Sequence, residues 1–255
     1  MSKIVIEITN SINAFDEAFE AIGKWITELT NFPGFKEWKS KQLGATLRYG
    51  EALVNDFDEH SKIFEFPPHI VKQHDAIAAF FALYTSWQAI ADTEFYFRRY
   101  PFHDLPLSMD THLRYTCESY FSRIYEFSER MKKCLNALNE VIFEKIEVGR
   151  IIKIFAKDFK IELKERNLIH HHAHFNEIMI DKISLMGLMA IRDKRGKSTG
   201  WKAEHRRAYR LASQEWAARV KKRSVRVNIY LNAVSVIVIQ RCEFLSKPIR
   251  KFEEN

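Results

Sequence analysis

Hydrophobic residues recur at helical spacing along most of this chain, and the runs between helix breakers are long. From Phe15 to Leu29, the positions Phe15, Phe19, Ile22, Trp25, Ile26 and Leu29 mark one face of a helix. Asn31-Phe32-Pro33-Gly34 predicts a turn. A short, weakly periodic helix is expected after it, around residues 35–57. Residues 3–8 (KIVIEI) alternate weakly and predict one short strand or an extended arm. Beyond Pro67-Pro68, the segment from Ile70 to Tyr100 contains no Gly or Pro. Its thick apolar face (Ile77, Phe80, Phe81, Tyr84, Trp87, Ile90) predicts a buried helix. Pro101 and Pro106 bound a loop. Asp110 is placed to cap the next helix, which runs through Leu113, Cys117, Tyr120, Phe121, Ile124, Phe127 and Met131 towards Leu138.

Gly149 marks a break, after which Ile151, Phe155, Phe159 and Leu163 repeat at i,i+4. A further stripe follows at Phe175, Ile178, Met179, Ile183, Met186 and Met189. The stretch from Arg192 to Gly200 (RDKRGKSTG) has no apolar residue and predicts a loop. From Trp201 to about Leu245 there is again no Gly or Pro, which predicts one very long helix or two stacked ones. The expected fold is an all-α antiparallel bundle of about five to seven helices in a single domain over residues 1–255. Residues 1–65 form an N-terminal extension, and 201–246 a long basic C-terminal helix.

Composition agrees with this picture. Eight Gly and six Pro in 255 residues fall below the usual roughly 7% and 5%, leaving few tight turns for a many-stranded fold. Twenty Phe supply a thick aromatic core. The three Cys (Cys117, Cys134, Cys242) cannot all pair and lack metal-ligand spacing, so they read as core thiols of a reducing compartment. The N-terminal residues carry no signal-peptide pattern. The longest uncharged run, Ala76 to Ala91, is shorter than the roughly 20 apolar residues of a membrane span. A cytoplasmic protein with no membrane partner is expected.

Charge changes the picture in one region. The chain carries a net +7, but residues 192–226 hold 13 Lys or Arg against three acids, leaving the rest slightly acidic. Such a region is either a solvated helix face or an electrostatic footprint for a polyanion. Lys194, Arg195, Lys197, Lys202, Arg206, Arg207 and Arg210 are its candidate nucleic-acid contacts. The interleaved Trp201, Tyr209, Trp216 and Tyr230 either pack between helices or stack on bases.

The densest chemistry lies elsewhere. Glu165 to Phe175 (ERNLIHHHAHF) holds four of the ten His within five residues. His170 and His174 stand at i,i+4, a spacing that suits zinc. No HExxH pattern and no adjacent Cys completes a metal set, so no resident metal is expected. Alternatively, Asn167 caps a helix that starts there, and its free N–H groups favour an anion. Arg166, Asn167 and His171 would then converge on one phosphate. That reading requires a helix break at residues 165–167.

Arg166 to His171, R-N-L-I-H-H, resembles the R-x4-6-H motif of HEPN domains, and the all-helical background over residues 70–191 is compatible with a HEPN-like core. Many members are metal-independent endoribonucleases of toxin or defence systems, so the resemblance implies that activity and no cofactor. It also implies a homodimer in which two copies of Arg and His form one composite site on RNA. There His171 acts as general acid or base and Arg166 holds the scissile phosphate, while Asn167 orients it. The product carries a 2′,3′-cyclic phosphate. His172 also satisfies the spacing, though His171 is favoured; His170, His172 and His174 are supporting candidates. An antitoxin or defence-system partner protein is implied as well. Ala173 stands where some HEPN toxins carry a modifiable Tyr. Other members are non-enzymatic scaffolds or binding proteins, which makes binding of nucleic acid or a protein without turnover the alternative. Arg98 and His103 satisfy the same spacing within a loop-like context.

Overall fold

The computed structural model describes residues 14–40, 66–98, 107–171, 174–193, 200–247 and 249. Among them the protein is an all-helical bundle with a long C-terminal helix. Its helices are α1 (Ala14–Thr30), α2 (Pro68–Arg98), α3 (Met109–Val141), α4 (Val148–Asp158), α5 (Lys160–His171), α6 (Ile178–Asp193) and α7 (Trp201–Arg241), followed by a 3₁₀ turn at Glu243–Leu245. Residues 35–40 are also helical. The strand expected at residues 3–8, the rest of the 35–57 helix and the Pro101–Pro106 loop lie outside the described residues.

Several boundaries differ from the expectations. Helix α2 begins at Pro68, where the missing N–H costs nothing because a first-turn donor has no intrahelical acceptor. Pro67 O receives Ile70 N at 2.9 Å. The cap of α3 is Ser108 rather than Asp110: Ser108 Oγ receives Thr111 N at 3.4 Å, and Asp110 lies in the first helical turn. Gly149 is not a break, because α3 has already ended and Gly149 sits in the first turn of α4. The break within the i,i+4 run falls at Phe159. The Asn31–Gly34 turn is present, with Gly34 at φ 85°, the left-handed region that glycine tolerates. The long C-terminal segment is one helix of 41 residues.

The chain divides into two compact units. One comprises residues 1–78, 136–146 and 232–255. In it α1 buries Ala14, Ala18, Ile22, Trp25 and Leu29, while Ile26 on the same predicted stripe is exposed. Trp25 donates Nε1–H to Gln73 Oε1 at 3.1 Å and meets Phe244 edge-on at 6.0 Å. Trp38 packs edge-on against Phe66 and His74. Cys242 is buried here, and burial pushes its thiol up to about 12.

The other unit comprises residues 79–135 and 147–231. Its core is aromatic. Trp216 stacks on Phe97 at 5.8 Å and meets Phe121 and Phe175 edge-on, while its indole N–H reaches Glu177 Oε2 at 2.7 Å. A second cluster joins Phe127, Phe155, Phe159 and Tyr230. The predicted apolar stripe of α3 is buried throughout. On α6 the stripe is corrected: Ile180, Ile183 and Ala190 face the core, whereas Ile178 is 81% exposed. Cys117 and Cys134 are buried, as expected of core residues.

Candidate functional site on α4 and α5

Helices α4 and α5 are separated by the single residue Phe159. Its N–H still reaches Phe155 O at 2.9 Å, and its own carbonyl receives Leu163 N at 3.0 Å. The i→i+4 hydrogen bonding therefore continues across Phe159, and the two helices keep the rotational phase of their faces. The inward face at this junction is charged. Glu162 is 3% exposed, and Arg223 of α7 grips it with two hydrogen bonds, Nε to Oε1 at 2.6 Å and Nη2 to Oε2 at 2.9 Å. Tyr120 OH also donates to Glu162 Oε1, at 3.4 Å. Arg223 caps the end of α4 by donating to Asp158 O at 2.8 Å, and its guanidinium lies 4.1 Å over the Phe159 ring. Arg226 donates Nη2–H to Asp158 Oδ2 at 2.6 Å, and Tyr230 OH donates to the same oxygen.

These contacts set the local acidities. Burial acts to raise the Asp158 carboxyl, but the hydrogen bonds from Tyr230 and Arg226 outweigh it and hold the group below its usual range. Burial pushes the phenols of Tyr120 and Tyr230 upward, helped by Glu162 and Asp158 respectively. Both tyrosines are therefore fixed donors at neutral pH.

The R-N-L-I-H-H segment occupies the second half of α5. The helix break required for an N-terminal phosphate site is absent: α5 is continuous from Lys160 to His171. Lys, Glu and Leu dominate its first half and lose little rotamer freedom in a helix, so Asn167 does not stop it. Asn167 is mid-helix, and His171 lies at the C-terminal, negative end of the helix dipole. The N-cap reading of Asn167 is overturned.

The three motif side chains do not converge within one chain. Five residues of helix turn Arg166 and His171 about 140° apart around the axis. Arg166 lies over the Tyr125 ring of α3 at 3.9 Å and donates to Asn167 Oδ1 at 3.2 Å. Asn167 and His171 share the other face, where both are exposed and line a shallow hollow with Lys160, Lys164 and Leu168. His170 meets His171 edge-on at 4.9 Å. His174 Nδ1 lies 3.4 Å from Glu118 Oε1, which also accepts Phe175 N–H at 2.9 Å. Glu118 and Tyr125 are two turns apart on α3. They hold the segment after the motif and the motif arginine respectively.

No three His, Cys, Asp or Glu gather as a metal set among the described residues. The zinc pairing is corrected at the level of secondary structure, because α5 ends at His171 and His174 lies beyond the helix. His172, Lys194, Arg195, Lys197 and His103 lie outside the described residues. Lys202, Arg206, Arg207 and Arg210 are exposed on α7, with Arg207 3.7 Å from Glu204. Tyr209 and Trp216 are buried and Tyr230 is bonded to Asp158, so these three pack rather than stack on bases. Arg219 lies 4.5 Å over Trp216, and Arg223 and Arg226 face acids. The basic surplus of residues 192–226 is thus partly internal.

Sequence reasoning missed the Asp158–Glu162 pair and its α7 partners. A signal existed: two acids at i,i+4 on an otherwise apolar face, and Arg223, Arg226 and Tyr230 at matching helical spacing. No family model, curated protein or solved structure matches the chain.

Proposed function

We propose that this protein is a metal-independent endoribonuclease of the HEPN type, working as a two-fold dimer. The observation that carries the reading is the exposed Asn167–His171 edge of α5, flanked by Lys160 and Lys164. It joins an imidazole, an acid–base group, to fixed cations beside it. Because Arg166 and His171 diverge on one helix, the missing cation must come from a second copy. In the proposed reaction His171 takes the ribose 2′-hydroxyl proton, and the 2′-oxygen attacks phosphorus. Arg166 of the second copy holds the phosphate oxygens. The bond from phosphorus to the 5′-oxygen breaks, and that oxygen takes a proton from a solvent water, whose hydroxide the protonated His171 neutralises. The products are a 2′,3′-cyclic phosphate and a 5′-hydroxyl.

The test is incubation with labelled RNA in EDTA, beside Arg166→Ala and His171→Ala. Loss of general acid–base catalysis lowers turnover by about 10²–10⁴-fold. Equal cleavage by all three proteins removes the site assignment. A second reading, binding without turnover, is favoured by one contact. The Arg166 guanidinium is already engaged by Tyr125 and Asn167. It requires that the unmutated protein bind RNA and leave it intact.

A further inference from the structure

Helices α4 and α5 turn Asp158 and Glu162 inward and their lysines outward. Between Val148 and His171 the acids are Asp158, Glu162 and Glu165. Asp158 and Glu162 are bound by Arg226 and Arg223, and Glu165 is half-buried. Arg150, Lys153, Lys157, Lys160 and Lys164 follow one another at alternating three- and four-residue steps, which places them along one face of the two helices. All five are exposed. Among the described residues no carboxylate lies within ion-pairing distance of the four lysines, and Arg150 has only Glu147 at 3.6 Å. Continued at the same steps, this ridge reaches Asn167 and then His171. Ile154, Ile161 and Leu168 run beside it at seven-residue intervals and are 46%, 62% and 43% exposed.

We propose that this ridge is a binding track for the phosphate backbone of single-stranded RNA, which delivers the strand to His171. The inference rests on the nuclease reading for its end point, though not for binding itself. Unpaired cations in a row are what a polyanion needs, since each phosphate contact releases condensed counterions. The apolar stripe favours a single strand over a duplex, because only unpaired bases and sugars can lie against Ile154, Ile161 and Leu168. The track is separate from the basic start of α7 that the sequence singles out.

The test uses the full chain carrying His171→Ala, so that RNA survives, and a fluorescent single-stranded RNA of about 12 nucleotides titrated at several salt concentrations. Five contacts at about 0.7 each give a slope of log K against log salt near −3.5. Adding Lys157→Ala and Lys160→Ala lowers affinity and flattens the slope by about 1.4. Adding Lys202→Ala and Arg206→Ala instead leaves both unchanged. Circular dichroism confirms that each variant is folded. Binding unchanged by the ridge substitutions, or lost only with the α7 pair, overturns the proposal, as does preference for an RNA duplex. In the His171-intact protein, the ridge pair raises KM for cleavage. Ridge-dependent binding by an unmutated protein that never cleaves would uphold the track and remove the nuclease reading.

Discussion

The two faces of the α4–α5 segment carry opposite kinds of charge and treat them differently. Lys157 and Asp158 are adjacent in sequence, as are Ile161 and Glu162. Yet Asp158 and Glu162 are held by Arg226 and Arg223, and the phenols of Tyr230 and Tyr120 donate to carboxylate oxygens that the arginines also engage. Lys157 and Lys160 stand in solvent. Pairing on the inner face holds the acids inward, and the lysines on the opposite face are left in solvent. The difference teaches that net charge along a chain is a poor guide to surface field. Two arginines of the most basic stretch, Arg223 and Arg226, lie against inner-face groups, while a less conspicuous lysine series is left open.

The sharpest way to break this comparison is to orphan the inner charge. Glu162→Ala leaves Arg223 without its main partner in a partly buried position, and removing one member of a buried pair costs about 3–5 kcal/mol. Urea unfolding is the measurement. Replacing both residues, Glu162→Leu with Arg223→Met, should recover most of that loss, because an apolar pair of similar volume avoids the desolvation cost. By contrast, Lys157→Ala with Lys160→Ala on the outer face should change stability by less than about 0.5 kcal/mol each. A loss there comparable to Glu162→Ala would erase the distinction between the faces.

Acidity sharpens it further. The Asp158 carboxyl titrates below its ordinary 3.8 in the folded protein. Its stabilisation is therefore full above that value and is lost as pH falls through the lower folded pKa. At neutral pH Asp158→Asn should be less stable than the parent by about 1.5–3 kcal/mol, the worth of hydrogen bonds to a charged group. The gap should narrow below pH 4. Denaturant midpoints from pH 7 to 3 measure it, and a constant gap would mean the carboxylate charge is irrelevant.

A further effect concerns the ring beneath Arg166. Tyr125→Ala removes the ring under Arg166, costing about 0.5–2 kcal/mol, whereas Tyr125→Phe retains most of the interaction. If Arg166 must be held for cleavage, Tyr125→Ala lowers kcat and Tyr125→Phe rescues it. Equal kcat in the two variants would show that the ring does not position the motif.

Much of this architecture was legible in the chain. The long breaker-free runs gave α2, α3 and α7, because an apolar face at period 3.6 has few other ways to be buried. The buried stripe of α3, from Leu113 to Leu138, was read residue by residue. Where reading failed, tertiary context decided. Ile178 fits the α6 stripe by spacing but precedes the first core-facing turn. Asn167 is a good capping residue, yet a helix already nucleated at Lys160 runs through it. Arg223 and Arg226 look like surface charge until the acids of α4 and α5 are brought against them. The R-N-L-I-H-H segment was visible at once, but the divergence of Arg166 from His171 became visible only with α5 continuous.

The central claim is that Arg166 and His171 act across two copies of the chain. It is tested most directly by mixing Arg166→Ala protein with His171→Ala protein in EDTA and measuring RNA cleavage. The account predicts that the unmutated protein cleaves and each variant alone is inactive. Mixed dimers, which restore one Arg and one His to a shared site, should regain part of the activity. A mixture as inactive as its components, beside an active unmutated protein, would contradict the composite site, and an inactive unmutated protein would contradict the nuclease itself.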